Sequence, residues 1–277
     1  MTQPISNQME AYEKRLADIM GVDKREKGVC ATHGDYINVH YSGEGKHSEG
    51  WHGCSQCADE REQAKQKAEE EARQAEMYRE RIERMIKSSG IPLRFRGKTF
   101  DCFTEVNAKA GKHLAKVREY ADVVASKGHA GRCLIMLGKI GNGKTHLACA
   151  LIDNTIRKTV NPCRYWTFSE LVREVKGSFN KGATYSEQDV YSEFSKPLLV
   201  VLDEVGMQNF TDFEQAVAYE AINARYLAEK PTVLITNLQA KDLPLCVGER
   251  VVDRLREGGG KALDFDWQSF RLNGGAK

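Results

Sequence analysis

The sequence predicts an α/β domain, a parallel sheet flanked by helices, preceded by a small metal-stabilised module and a long charged helix. Three observations carry that expectation. Downstream of residue 90, short apolar runs alternate with helical patterns, the signature of strands joined by covering helices. One such run, Arg132 to Leu137, leads into Gly138-Lys139-Ile140-Gly141-Asn142-Gly143-Lys144-Thr145, which fits the spacing G-x-x-x-x-G-K-[ST]. Upstream lie two close Cys/His pairs in a stretch with little apolar material, followed by an uninterrupted run of Glu, Lys, Arg, Gln and Ala.

Composition sets the outer bounds. The chain has 277 residues, 41% of them hydrophobic, enough for one or two domains with a packed core. The mean hydropathy of −0.54 is polar for a compact domain. The net charge of +2 is nearly balanced, so any nucleic-acid contact has to come from a local patch. Met1 to Asn7 lack the basic start and apolar core of a signal peptide, and no apolar run reaches the length of a membrane helix. Eight cysteines without a secretory signal point to reduced thiols or metal binding, and to the cytoplasm.

Met9, Tyr12, Leu16, Ile19 and Met20 recur at helical spacing and predict an amphipathic helix that packs on its own domain or docks a partner. Cys30-Ala31-Thr32-His33 and Cys54-Ser55-Gln56-Cys57 then supply four soft or borderline ligands at chelating spacing. Such pairs close a tetrahedral Zn²⁺ site, and four protein ligands leave no open position, so its role is structural. His40, His47 and His52 are alternative ligands. From Ala58 to Lys87 the chain reads as one solvated helix, with Glu69–Arg73, Glu80–Arg84 and Glu83–Lys87 in the favourable order for ion pairs. Its weak alanine stripe gives way to Ile82, Met85 and Ile86, and Gly90 and Pro92 end it. These boundaries define residues 1–57 as a zinc-binding domain, 58–89 as a helical linker and 90–277 as the α/β domain.

Within that domain, Ala108 to Ser126 predicts a helix broken at Lys127-Gly128-His129. The strand before Gly138 and the helix beginning near His146 turn the glycine loop into an anion cradle. Loop amides and the helix dipole face the ligand, Lys144 reaches phosphate oxygens and Thr145 can bind Mg²⁺. Gly138, Gly141, Asn142, Gly143, Lys144, Thr145 and His146 form the expected nucleotide-binding set. Arg164 to Thr167 reads as the next strand, with Ser169 capping the following helix. The apolar run Pro197 to Leu202 reads as a central strand ending in Asp203-Glu204. Asp203 is placed to order Mg²⁺ and Glu204 to polarise water. The strand Thr232 to Thr236 ends in Asn237, a polar group able to orient that water.

A glycine phosphate loop, a paired Asp-Glu at a strand end and a polar residue ending the next strand together resemble the AAA+ ATPases. Gly248 to Arg256, with three arginines on a short helix, Phe265 to Arg271, and Ser89 to Arg96 ahead of the core narrow this to a resemblance to the DnaC/DnaI-type helicase loaders. It covers residues 89–271. The resemblance implies a weak Mg²⁺-dependent ATPase that loads a replicative DnaB-type helicase onto single-stranded DNA and self-associates through the AAA+ domain. It implies that the N-terminal domain grips the helicase, that Arg250 or Arg254 reaches a neighbour's nucleotide, and that Arg271 senses the γ-phosphate in cis. It also puts Phe179 and Phe213 on the DNA-facing side, with Lys181 beside them; on sequence alone these rings could equally be core. The transposase helper ATPases of insertion sequences share most of these motifs and are the alternative, though they normally lack a zinc knuckle. A small-molecule phosphate-loop kinase fits less well, because the Asp-Glu pair and downstream Asn237 have no role there. A non-catalytic zinc adaptor would bind ATP without turnover.

Overall fold

The computed structural model describes residues 21–42, 48–126, 132–206 and 210–269. The expected helix from Met9 to Met20, the alternative ligand His47, the break at Lys127–His129, and Arg271 lie outside the described residues. The chain divides into two compact units, Met1–Tyr78 and Arg79–Lys277.

In the first unit, β1 (Val22–Cys30) and β2 (Gly34–Tyr41) form an antiparallel hairpin that turns between Cys30 and Gly34, and β3 (Gly50–Trp51) extends it. Tyr41 is the one buried hydrophobic residue among the described residues of this unit. Helix α1 (Ser55–Ser88) starts at the second Cys pair and is exposed along most of its length. Its ion pairs differ in detail from the expected ones. Lys65 pairs with Glu69 and Lys67 with Glu71, while Arg73 turns to Glu70 at 2.7 Å. Glu83 leaves Lys87 for Arg157. Long exposed side chains choose among near-equal partners within about 0.5 kcal/mol, so sequence order does not fix the pairing.

The second unit begins inside α1. Ile82 and Ile86, four residues apart, are buried in its core. After short 3₁₀ turns at Leu93–Phe95 and Phe100–Cys102 come α2 (Ala108–Ala125), β4 (Leu134–Leu137), α3 (Lys144–Thr159), β5 (Cys163–Thr167), α4 (Phe168–Gly177), α5 (Glu187–Ser195), β6 (Leu199–Val205), α6 (Asp212–Leu227), β7 (Thr232–Thr236), α7 (Leu243–Val247), α8 (Glu249–Arg256) and β8 (Lys261–Asp264). The sheet order is β5-β6-β7-β4-β8 and every pairing is parallel. Side chains alternate across it: Leu134 and Met136 face one core with α2, α3 and the end of α1, and Ile135 and Leu137 face the other with α4 to α8. Central strands covered on both faces need apolar residues on both, which is why these runs carry no polar alternation.

Two local readings change. The cap of α4 is Thr167, which accepts from the Glu170 amide while Glu170 reaches back to Thr167, a complete capping box; Ser169 lies inside the helix. The strand β8 was not expected, because its four residues, Lys-Ala-Leu-Asp, carry too little periodicity to signal one. Arg225 of α6 is fully buried and donates to Thr232 Oγ1 and to the carbonyls of Phe194, Pro197, Leu198 and Pro231, tying the starts of β6 and β7 together. Burial draws its pKa down to about 10.

Candidate functional site

The sheet order builds the site. β4 delivers the glycine loop, β6 delivers Asp203 and Glu204, and β7 lies between them and leads into Asn237. All three therefore open at one end of the sheet, where a parallel sheet with a crossed strand order leaves its binding crevice.

The loop is held from two sides. Gly138 has φ of +122°, and a Cβ there would meet the Phe265 carbonyl oxygen at 2.3 Å, so only glycine fits. Asn142 is buried and donates to the carbonyls of Phe265 at 2.7 Å and Trp267 at 2.5 Å. Its side chain is thus committed to bracing the loop against the segment after β8. On the other flank, His146 meets the Thr99 carbonyl at 3.0 Å and packs edge-on against Phe103.

Lys144 opens α3 and is buried. Its ammonium donates to the Gly138 and Lys139 carbonyls at 2.5 and 2.7 Å. Burial lowers its pKa to about 8, with Asp203 pulling the other way. Thr145 donates to Asp203 Oδ2 at 2.8 Å, so the two predicted magnesium residues, 58 positions apart in sequence, meet side chain to side chain. Asp203 is buried, and its Oδ1 accepts from the amide of Glu204 at 2.7 Å. Glu204 is exposed and has φ of +63°, at a bulge that inserts one residue between Leu202 and Val205. A left-handed conformation at a non-glycine residue costs on the order of 1–3 kcal/mol, and here it goes with the bulge beside Asp203. One partner escaped sequence reasoning: Tyr165 of β5 donates to Asp203 Oδ2 at 2.7 Å.

Among the described residues, Arg250 and Arg254 make their contacts elsewhere. Arg254 donates to the Tyr219 hydroxyl at 3.1 Å and lies over the rings of Tyr219 and Tyr226 on α6. Its Nε is buried without an acceptor among the described residues. Arg250 is exposed and borders an open hollow with Asp212 and Tyr219.

The aromatic residues divide. Phe179 is 58% exposed, and its ring meets the half-buried Phe213 edge-on at 6.2 Å. Lys176 lies 5.5 Å over Phe213, and Lys181 is exposed nearby in sequence. Tyr191 is buried, and Phe210 stacks on Phe168, so these two serve packing.

In the N-terminal unit, Cys30, His33, Cys54 and Cys57 converge, all their ligand atoms within 4.8 Å of one another. Cys30 ends β1, His33 sits in the hairpin turn, and Cys54 and Cys57 flank the start of α1. The separations are 3.4 Å for Cys30 Sγ to Cys57 Sγ and 3.3–3.6 Å from the three sulfurs to His33 Nδ1. A tetrahedral ion with Zn–S of about 2.3 Å and Zn–N of about 2.0 Å sets its ligands roughly 3.5–3.8 Å apart, so the donor set fits zinc. The far nitrogen, His33 Nε2, faces Glu60 at 3.0 Å, the carboxylate–histidine pairing that orients a metal-bound imidazole. The backbone amides of Thr32 and His33 lead in lowering the Cys30 pKa to about 6, favouring the thiolate a metal needs. His40 pairs with Asp23 and His52 with the Ser48 carbonyl, outside this group.

A family model described as IstB-like ATP-binding protein matches residues 61–252. The replicative helicase loader DnaC of Escherichia coli K12 is 29% identical over 219 residues, 74% of this chain and 84% of that protein. The loader of the same name from Buchnera aphidicola of Acyrthosiphon pisum is 29% identical over 195 residues, 69% of this chain and 76% of that one. A crystal structure of the DnaC helicase loader superposes with a TM-score of 0.56 at 23% identity, covering 62% of this chain and 99% of that chain. The α/β unit has the AAA+ fold. Among the described residues no helix is long and apolar enough to cross a membrane.

Proposed function

The chain belongs to the IstB-like ATP-binding proteins, and from that premise we propose that it is an ATP-dependent loader that places a replicative hexameric DnaB-type helicase on single-stranded DNA in the cytoplasm. The observation that carries the ATP chemistry is the 2.8 Å contact between Thr145 and Asp203 beside Lys144. The helicase is inferred from the curated loaders matched along most of their length. In this reading the loop amides and Lys144 bind the β- and γ-phosphates. Thr145 and Asp203 hold Mg²⁺, which supplies neutralisation of phosphate charge. Glu204 takes a proton from the attacking water and Asn237 orients it. Turnover is weak in the lone chain because a second arginine has to come from a neighbour. Arg254, or Arg250 one turn earlier, supplies it from a neighbouring subunit, and Arg271 contacts the γ-phosphate in cis.

Phe179, Phe213, Lys176 and Lys181 are the surface for single-stranded DNA: an exposed ring offers a stacking face to any base, and lysines track the phosphates. Residues 1–57 bind one structural Zn²⁺ and grip the helicase, and the helix of residues 58–89 links them to the ATPase. The convergence of Cys30, His33, Cys54 and Cys57 favours this over the transposase-helper alternative, which shares the ATPase core. Mixing the purified chain with a replicative helicase and weighing the complex in solution tests the reading. A defined loader–helicase assembly is expected with ATP, with a different composition in ADP. No complex in either nucleotide, alongside stimulation of a transposase, would hand the assignment to the helper ATPases.

A further inference from the structure

Among the described residues, Thr145, Tyr165 and Glu204 each donate a hydrogen bond to Asp203. Thr145 and Glu204 belong to the nucleotide motif, but the third donor, Tyr165, comes from the neighbouring edge strand β5. In the β5–β6 register Tyr165 stands opposite Val201 and Thr167 opposite Asp203, so the long phenol spans two residues along the sheet to reach the carboxylate. Its ring is buried in the core beneath the sheet. A phenol is protonated at neutral pH, so the hydroxyl is the donor in this pair.

The geometry points to Tyr165 as a positioning residue that fixes the Asp203 carboxylate for Mg²⁺, an inference that rests on the reading of Asp203 as the magnesium residue. A carboxylate on two rotatable bonds can present either oxygen or swing away. With Oδ2 bridged between Thr145 and Tyr165 and Oδ1 held by the Glu204 amide, both torsions are fixed before metal arrives. Outer partners of this kind commonly change metal affinity by about 10–100-fold.

Tyr165 is itself held by the end of α1. Its amide donates to the Ser89 carbonyl at 2.7 Å, and the neighbouring Arg164 donates to the Ser88 carbonyl at 2.9 Å. Gly90 has φ of +81°, and a Cβ there would stand 2.6 Å from the Tyr165 carbonyl oxygen. Arg157, on the helix that begins at Lys144, meets Glu83 of α1 at 3.2 Å. The last turns of the charged helix thus reach the metal residue through two hydrogen bonds, Ser89 to Tyr165 and Tyr165 to Asp203. A shift at the end of α1 is felt at Asp203.

The test is Tyr165→Phe in the full chain, which removes one hydroxyl and keeps the ring. A fluorescent ATP analogue is titrated by anisotropy, first in EDTA and then with rising Mg²⁺. Affinity in EDTA is expected to stay within about twofold, because Lys144 and the loop amides are untouched, while the Mg²⁺ concentration giving half the metal-dependent gain rises about tenfold. Asp203→Asn runs alongside. If Asp203→Asn loses the metal-dependent gain and Tyr165→Phe titrates like wild type, the role of Tyr165 is wrong and the magnesium reading stands. If Asp203→Asn also titrates like wild type, both fall. Should Tyr165→Phe bind no nucleotide even in EDTA, Gly90→Ala displaces the strand with the hydroxyl intact; a Mg²⁺ midpoint unchanged in that variant overturns the proposal.

Discussion

Lys144 and Glu204 sit at opposite ends of the burial scale, and that separates their predicted phenotypes. Lys144 is enclosed, and its ammonium is held by two loop carbonyls. Removing it takes away a charge the ground-state nucleotide needs, so Lys144→Ala is expected to abolish ATP binding in an equilibrium titration. Glu204 is exposed and has φ of +63° at the bulge. Glu204→Gln keeps the shape, the bulge and the loop, so binding is expected to persist while phosphate release falls by at least about 10²-fold, the range for losing a general base. Phosphate release at the wild-type rate in Glu204→Gln would remove it from the chemistry. The motif residues Lys144, Thr145 and Asp203 were legible in sequence because local spacing and strand ends fix them. Tyr165 was not: its bond to Asp203 depends on the parallel register of β5 against β6, and no local pattern encodes register between strands. Asn142 was legible as part of the loop but not as its brace, since its partners lie beyond residue 264.

At the scale of the element, the zinc reading predicts that the hairpin and the start of α1 depend on a metal in a way the sheet domain does not. The described part of the first unit buries Tyr41 and little else that is apolar. Structural zinc supplies apparent free energies of about 10–16 kcal/mol, more than such a core can contribute. One zinc per chain is expected by elemental analysis of freshly purified protein. Cys54→Ser should lose that zinc and expose the hairpin to limited proteolysis. ATP binding should survive, because the sheet domain has its own two cores. A wild-type chain free of zinc that still resists protease would refute the metal's role. The Cys and His spacing announced the four side chains that converge, whereas Glu60 behind His33 was hidden among the many glutamates of a solvated helix. The same limit applies to β8 and to the Thr167 cap: a four-residue strand and a one-turn choice between two hydroxyl residues lie below what local pattern resolves.

For the whole molecule the question is whether one chain holds a complete ATPase. Arg254 is engaged by its own α6, with a hydrogen bond to Tyr219 and two tyrosine rings beneath the guanidinium, and its Nε has no acceptor among the described residues. A guanidinium held this way is rigid, and its planar fork suits a phosphate presented by a second chain. A catalytic arginine acting in trans can be worth factors of about 10³–10⁵ in turnover. Arg254→Ala should therefore bind ATP nearly as wild type does and hydrolyse it poorly. Its melting temperature is measured alongside, because the tyrosine contacts are lost as well. Lys144→Ala is inactive for the complementary reason, lacking the phosphate site but keeping Arg254. Mixed together, the two variants should recover part of the wild-type turnover, since in a mixed assembly an intact phosphate loop from Arg254→Ala faces an intact arginine from Lys144→Ala. Recovery should rise and then fall across the mixing ratio, as the number of productive interfaces does. If the two variants co-assemble by light scattering yet show no recovery at any ratio, Arg254 does not act in trans, and its tyrosine contacts are then its whole role: a clamp between α8 and α6.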